Sequence, residues 1–398
     1  MRILYITDYI PYPPIAGDLI RNYHLIRGIS REHKVSLVGF VSSLSEQSGV
    51  SHMSEFCHRV EAVILPRRRK LARIPRLIRY VLAGIPFDFE FLFSEELVQK
   101  IRSLAETEDF DIVQIAHSRM APYREALPPG GHAKTVLSFH NVASTQYDSI
   151  SHIASTRAKR IRAWLHGRML RRWEPYYAEH FDRCITVSED DRQSLLASNP
   201  RLSVDVITNG VDTKKYQVLP LEETQPVILF TGNMSYAPNI DGAIWFCREI
   251  LPHIRRVLPD IQVWIVGISP TSEVLALEGD GVRVTGRVED ITPYFRRSTV
   301  SVVPLRAGGG TRHKILEAMA FGRPVISTTL GCEGLDVKDS QHLLIADDPI
   351  QFAEKTVRLL VDKELHHSIA YHARQLIEER YDWDAITKQL ITVYTDML

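Results

Sequence analysis

The chain has 398 residues, 44% of them hydrophobic and 24% charged, with 48 Lys+Arg balancing 48 Asp+Glu. That length suffices for two domains with a core each, and the mix of residues excludes a disordered chain. Residues 1–210 hold 28 Lys+Arg against 23 Asp+Glu, leaving 20 against 25 for the rest, a bias far too small for a nucleic-acid binder, so no nucleic-acid partner is expected.

The opening residues Met1 to Asp8 reach a charge too soon for a signal peptide and read as a first β-strand, and no later run is long enough to span a membrane. Cys57, Cys184, Cys247 and Cys332 show neither close pairing nor metal-ligand spacing, which suggests reduced thiols in a cytoplasmic protein. Further apolar runs follow at Val35 to Phe40, Val60 to Leu65, Ile112 to Ile115, Thr135 to Phe139, Cys184 to Val187 and Val204 to Ile207. In the second half they are Val227 to Thr231, Val263 to Gly267, Val282 to Val284, Val300 to Pro304, Val325 to Ser327 and Leu343 to Ile345. Helical patterns separate them, so the expected class is α/β, with two parallel sheets covered by helices.

Residues 213–226 are polar, contain two prolines and read as a linker. They divide a first domain, 1–212, from a second, 227–380, and 381–398 form a terminal amphipathic helix beginning near Asp382 or Asp384. After Gly232, apolar residues from Ile240 to Leu258 keep a helical period that Pro252 should split.

Ligands of open parallel sheets bind beyond the carboxyl ends of the strands. The richest such segment is Gly308-Gly309-Gly310-Thr311-Arg312-His313-Lys314, which runs from a strand into a helix carrying Glu317. Three glycines bring backbone N–H groups and a helix N-terminus against a ligand, as phosphate binding requires, and Arg312 and Lys314 add positive charge. Glu317 falls about one and a half turns into the helix, where a carboxylate can accept two ribose hydroxyls. The pattern is neither an ATP loop nor a dinucleotide fingerprint. Other strand-end residues with this potential are Asp8, Gly17, His140, Asn141, Asn209, Gly232, Asn233, Gly267 and Arg287, whereas Ser188 and Glu189 read as a helix cap and its first turn.

The segment Leu316-Glu317-Ala318-Met319-Ala320-Phe321-Gly322-Arg323-Pro324-Val325-Ile326, the glycine loop before it, Asn209-Gly210-Val211-Asp212 and Trp383 together resemble the retaining glycosyltransferases of family 4. Among these, the chain is most similar to bacterial sugar transferases of exopolysaccharide-type systems. The resemblance implies the GT-B fold, with two Rossmann-like domains facing across a cleft and a C-terminal helix crossing back to the first. It implies transfer of a sugar from a nucleotide-diphosphate sugar donor to a glycan or lipid-linked acceptor, with no cofactor, no metal and no protein nucleophile. It also implies that His140 faces the donor sugar, that Gly17 and Arg21 form the first glycine loop, and that Gly232, Asn233, Arg287, Gly308 to Lys314 and Glu317 bind the donor. Asn141 and Asn209 join Gly17 and Arg21 on the acceptor or phosphate side.

Two departures stand out against the family pattern. Gly309 occupies the position of a second glutamate, and the usual Arg and Lys after the first strand of the second domain are replaced by Gly232-Asn233-Met234-Ser235-Tyr236-Ala237-Pro238-Asn239. Arg312 and Lys314 are therefore expected to supply the charge for the diphosphate. A nucleotide-sugar epimerase and a non-catalytic sugar-binding subunit are the rival readings. Asp109-Phe110-Asp111 and Asp382-Trp383-Asp384 match a short metal motif but fit a strand entry and a helix cap better. Two basic segments, 66–81 and Arg157 to Trp173, interleave cations with apolar residues. They read either as ordinary surface helices or as peripheral contacts with anionic lipid at the inner face of the membrane.

Overall fold

The computed structural model describes residues 1–15, 17–43, 47–65, 86, 92–153, 156–221, 225–308 and 312–398. The basic segment 66–81, and Gly309, Gly310 and Thr311 of the glycine loop, lie outside the described residues. The chain forms two compact units: Met1–Tyr147, Trp164–Asn209 and Trp383–Leu398 make the first, and Asp148–Ala163 with Gly210–Asp382 the second.

The first unit is built on β1 (Arg2–Tyr9), β2 (Lys34–Val41), β3 (Arg59–Ile64), β4 (Ile112–Ala116), β5 (Lys134–Ser138), β6 (Arg183–Thr186) and β7 (Val204–Val206). They form one parallel sheet in the order β3-β2-β1-β4-β5-β6-β7. The described helices along this part of the chain are α1 (Gly17–Ile29), α2 (Gln47–Met53), α3 (Glu95–Thr107), α4 (Ala143–Ile153), α5 (Arg157–Ala178) and α6 (Glu189–Ser198), with a 3-10 segment at Ser118–Ala126. Alternate residues of β1 serve different cores, Leu4 and Ile6 on one face of the sheet and Ile3 and Tyr5 on the other. Both faces are therefore apolar, which is why these strands read as continuous hydrophobic runs.

The second unit has a parallel sheet in the order β10-β9-β8-β11-β12-β13. Its strands are β8 (Val227–Thr231), β9 (Gln262–Val266), β10 (Val282–Val284), β11 (Val300–Val303), β12 (Val325–Ser327) and β13 (Leu344–Ile345). Helices α7 (Ala237–Trp245), α8 (Leu251–Arg255), α9 (Ser272–Leu275), α10 (Thr292–Arg297), α11 (His313–Ala320), α12 (Pro349–Val361) and α13 (Lys363–Arg380) surround it. Every expected strand forms, displaced by at most two residues at an end. The helix expected to split at Pro252 changes earlier, into a π turn at Phe246–Ile250. Pro252 then lies in the first turn of α8, where its missing N–H costs least.

The last helix, α14 (Trp383–Thr395), belongs to the first unit, where it lies along α1. Trp383 stacks on His24 with ring centroids 5.1 Å apart, and Asp384 pairs with Arg31 at 2.6 Å. Tyr394 is fully buried and donates its hydroxyl hydrogen to Gln114 Oε1 on β4. Gln114 in turn donates to the Tyr5 hydroxyl at 2.8 Å, so a polar chain in the core fastens the terminal helix to the middle of the sheet.

Candidate active site

Each sheet reverses its strand order once, between β1 and β4 in the first unit and between β8 and β11 in the second. Such a switch point leaves a crevice at the carboxyl ends of the strands because the connections leave in opposite directions. The sequence-selected residues concentrate at these two places.

In the second unit, Gly232 follows β8 and Gly308 follows β11. A Cβ at Gly267, beyond β9, would lie 1.7 Å from the Gly232 carbonyl oxygen, so the two chains meet at a distance open only to glycine. Lys314, in the first turn of α11, reaches this strand end and donates to Asn239 Oδ1 at 2.6 Å. Its ammonium also lies 4.7 Å from the Phe230 ring centroid, and a Cβ at Gly232 would approach it to 3.0 Å. Asn239 is held in turn by donating from Nδ2 to the Asn233 carbonyl at 2.8 Å, while the Asn233 side chain closes the turn onto Ser235.

Arg312 precedes α11 and is 6% exposed, with Nη2 donating to the Leu330 carbonyl at 3.5 Å. A Cβ at Gly308 would sit 3.2 Å from its guanidinium nitrogens, which places that group directly against the loop. Glu317 is half-buried on α11, its carbonyl accepts the Phe321 N–H at 3.0 Å, and its carboxylate makes no hydrogen bond with any described residue. Burial raises its pKa to about 7 against the pull of Lys215 and Lys314. Burial also lowers Lys314 to about 7, helped by Arg312 and opposed by Glu317. Burial thus disfavours the charged form of both the ammonium and the carboxyl. His313 is half-buried beside them, and Arg287 is exposed after the edge strand β10, two strands away from β8.

In the first unit, the corresponding crevice collects Asp8 from the end of β1, His117 after β4, His140 after β5, and Asp18 and Arg21 from α1. Asp8 is fully buried and pairs with Arg119, which lies 3.8 Å from Asp18. The rings of His117 and His140 are 5.3 Å apart. Both ring nitrogens of His140 are buried without a hydrogen-bond partner among the described residues. Its pKa is driven well below 6.5 by burial first, then by His117, Arg21 and Arg119 against the opposing charge of Asp8. At neutral pH this is an uncharged imidazole.

Arg21 is 1% exposed and donates from Nη1 to the Thr208 carbonyl at 2.8 Å and Asn209 Oδ1 at 2.9 Å. The structure thus joins two residues that are 188 positions apart in the chain. The Nε and Nη2 atoms of Arg21 remain buried without partners among the described residues, and burial lowers its pKa to about 10. Gly17 opens α1 and is exposed, and Asn141 donates to Gln146 at 2.5 Å.

Sequence reasoning missed the groups that hold His140 in place. Glu174, 1% exposed on α5, accepts the Ala143 N–H at 2.9 Å and the Ser144 N–H at 3.1 Å at the start of α4. Asp191 accepts the Val142 N–H at 2.9 Å, and is itself placed by the cap that Ser188 makes on α6. His117 was missed as well, although the rule that selects residues after strands applies to it equally. Asn239 carried no signal, because its role depends on Lys314 arriving from 75 residues away. The Asp-x-Asp motifs are occupied structurally: Asp111 accepts the Arg2 N–H at 2.7 Å, Asp382 accepts from Thr213 at 2.5 Å, and Asp384 is the partner of Arg31.

Two parallel-sheet Rossmann-like units with strand-end sites of this kind define a glycosyltransferase of the GT-B class. Residues 21–215 match the model of "Glycosyltransferase Family 4" and residues 225–362 that of "Glycosyl transferases group 1"; the chain belongs to this family. It is 35% identical over 216 residues to the N-acetyl-alpha-D-glucosaminyl L-malate synthase of Bacillus anthracis, covering 50% of this chain and 55% of that one. The chain spans about half the length of the first curated relatives that it matches. Its fold is similar to that of sucrose-phosphate synthase from Thermosynechococcus elongatus, with a TM-score of 0.73, 18% identity and coverage of 100% and 99% of the two chains. It is also similar to Anabaena HepE in complex with UDP and glucose, with a TM-score of 0.69, 15% identity and full coverage of both chains. Among the described residues, no helix is long and apolar enough to cross a membrane.

Proposed function

We propose that this glycosyltransferase moves a sugar, with retention at the anomeric carbon and without a metal, from a nucleoside-diphosphate sugar to a glycan or lipid-linked acceptor. The observation that carries the reading is the position of Lys314. Its ammonium stands at the carboxyl end of β8, held by Asn239, where the family's usual cations are replaced. Departure of a nucleoside diphosphate leaves negative charge on the β-phosphate, and fixed cations with the N-terminus of α11 stabilise that charge as it develops. Arg312, against Gly308, adds to the same field. Glu317 is retained for the ribose hydroxyls.

The acceptor side is assigned to the first unit. The buried carboxylate at the β1 end of its crevice, Asp8, is already paired with Arg119, which supports a reaction in which the leaving phosphate helps take the acceptor proton and no side chain attacks the sugar. His140, uncharged and with both nitrogens unpartnered among the described residues, suits hydrogen bonding to sugar hydroxyls. The HepE complex makes a uridine nucleotide the first donor to try.

Calorimetry with UDP, GDP and ADP, followed by the anomeric configuration of the product by NMR, tests this. Tight binding of one diphosphate, weakened in Lys314→Ala and Arg312→Ala, is expected. Unchanged affinity in both variants removes the charge-replacement argument, and an inverted product removes retention.

For localisation we propose peripheral contact with an anionic bilayer at the cytoplasmic side. It is supported by α5, which exposes Ile161, Trp164 and Leu165 beside Arg157, Arg160, Arg162 and Arg168. Flotation with phosphatidylglycerol vesicles at low salt decides it: protein left in the bottom fraction rules the contact out.

A further inference from the structure

We propose that His117 is an acceptor-reading residue, donating a hydrogen bond from its imidazole to a hydroxyl of the sugar that this enzyme extends. The inference rests on the first unit serving the acceptor, as argued above. His117 lies immediately beyond β4, on one side of the β1/β4 switch point, with its ring 5.3 Å from that of His140. Its backbone takes φ 87° and ψ 131°, a region where a residue with a β-carbon is strained.

A cap for the following 3-10 turn does not explain such a residue. His117 Nδ1 does accept the Arg119 N–H, at 3.4 Å, but Asn or Asp makes that bond better and tolerates positive φ more readily. What a histidine adds is the second nitrogen. With Nδ1 accepting, the neutral ring carries its proton on Nε2, which makes no hydrogen bond to any described residue. Neutrality is enforced by burial and by the Arg119 charge, which hold the pKa well below 6.5. The result is a fixed, uncharged N–H donor next to an uncharged His140 and the pair of buried Asp8 with half-buried Arg119, chemistry that matches a sugar hydroxyl.

The test uses the full chain with selectively labelled histidines, saturated with UDP, and titrated separately with glucose, galactose, mannose and N-acetylglucosamine. The His117 resonance is identified by its loss in His117→Gly, a change that also relieves the positive φ and so keeps the fold. At least one sugar should move this resonance. Its affinity should fall about ten-fold in His117→Gly and recover in part in His117→Gln, whose amide restores a donor, while UDP affinity stays within two-fold of wild type. The inference is overturned if UDP binds but no sugar moves the His117 signal, or if sugar affinity is equal in wild type and His117→Gly. Failure of UDP to bind the wild-type chain sinks the donor reading instead, so the two failures are distinguishable.

Discussion

Lys314 and Asn239 meet at 2.6 Å across the switch point of the second sheet, and the contact converts a loop without cations into a cationic site. The ammonium has no carboxylate within ion-pair distance among the described residues, and burial lowers its pKa to about 7. A bound diphosphate would supply the missing negative charge and return the lysine toward its ordinary value of 10.5. Above pH 7 binding therefore takes up a proton, and affinity falls with rising pH by up to about ten-fold per unit. Calorimetry from pH 6.5 to 8.5 measures this, and in Lys314→Met both the affinity and its pH slope should drop. A wild-type affinity independent of pH across that range contradicts the assignment.

Glu174 gives a prediction of opposite kind, on stability. Burial raises its pKa from 4.5 to about 7 despite three hydrogen bonds from Ser118, Ala143 and Ser144. Below pH 4.5 the carboxyl is protonated in folded and unfolded chains alike. Between 4.5 and about 7 only the folded chain holds the proton, so stability falls as pH rises through this window, by something on the order of 3 kcal/mol. Urea midpoints at pH 5, 6, 7 and 8 should decline in the wild type and decline less in Glu174→Gln. The variant should also lose transfer activity, because Gln cannot accept at both ends of the Ala143–Ser144 cap and the His140 loop loosens. Parallel midpoint curves for the two proteins argue against this carboxyl as the source.

Much of the architecture was readable because both sheets are covered on both faces, so each strand is an uninterrupted apolar run. The glycine loop and Glu317 were selected because phosphate and ribose recognition demand particular residue types at short spacing. The residues missed are of another sort. Asn239, Glu174 and Asp191 act through side chains or backbone N–H groups 30 to 75 positions away, and local pattern carries no trace of such pairings. Arg21 and Asn209 were each selected singly, but their mutual hydrogen bond follows only from α1 beginning at the carboxyl edge of the sheet, where β7 ends. Pro252 taught a smaller lesson: a helix relieves a proline by widening ahead of it, so the break precedes the residue that causes it.

Gly267 sets a hard limit on the second unit. A Cβ there falls 1.7 Å from a backbone oxygen of Gly232 and 2.8 Å from its carbonyl carbon, and no side-chain rotation relieves a backbone clash. Gly267→Ala must separate the ends of β8 and β9, displacing the strand end that Lys314 reaches. The expected outcome is a loss of about 1–3 kcal/mol in stability together with weaker UDP binding. Gly286→Ala is the control, since its Cβ meets nothing within 4 Å although its φ of 69° still brings some strain. Equal UDP affinity in Gly267→Ala and wild type separates the β8 end from the donor site.

The contact between Gly28 and Thr387 tests how the terminal helix is fastened. A Cβ on Gly28 would lie 2.5 Å from Thr387 Oγ1, 2.7 Å from its Cγ2 and 3.0 Å from its Cβ. Gly28→Ala should therefore destabilise the first unit by about 1–3 kcal/mol, even though alanine favours the helical backbone of α1 by nearly 1 kcal/mol. Thr387→Ala removes the two closest atoms, and because Thr387 Oγ1 is buried without a partner among the described residues, this change alone should cost little. The double variant should then regain most of what Gly28→Ala loses, since only the 3.0 Å contact with Cβ survives and the better helix former remains. A double-mutant cycle on urea midpoints reads the coupling directly, and additive losses would mean that α14 shifts away from α1 rather than pressing on it.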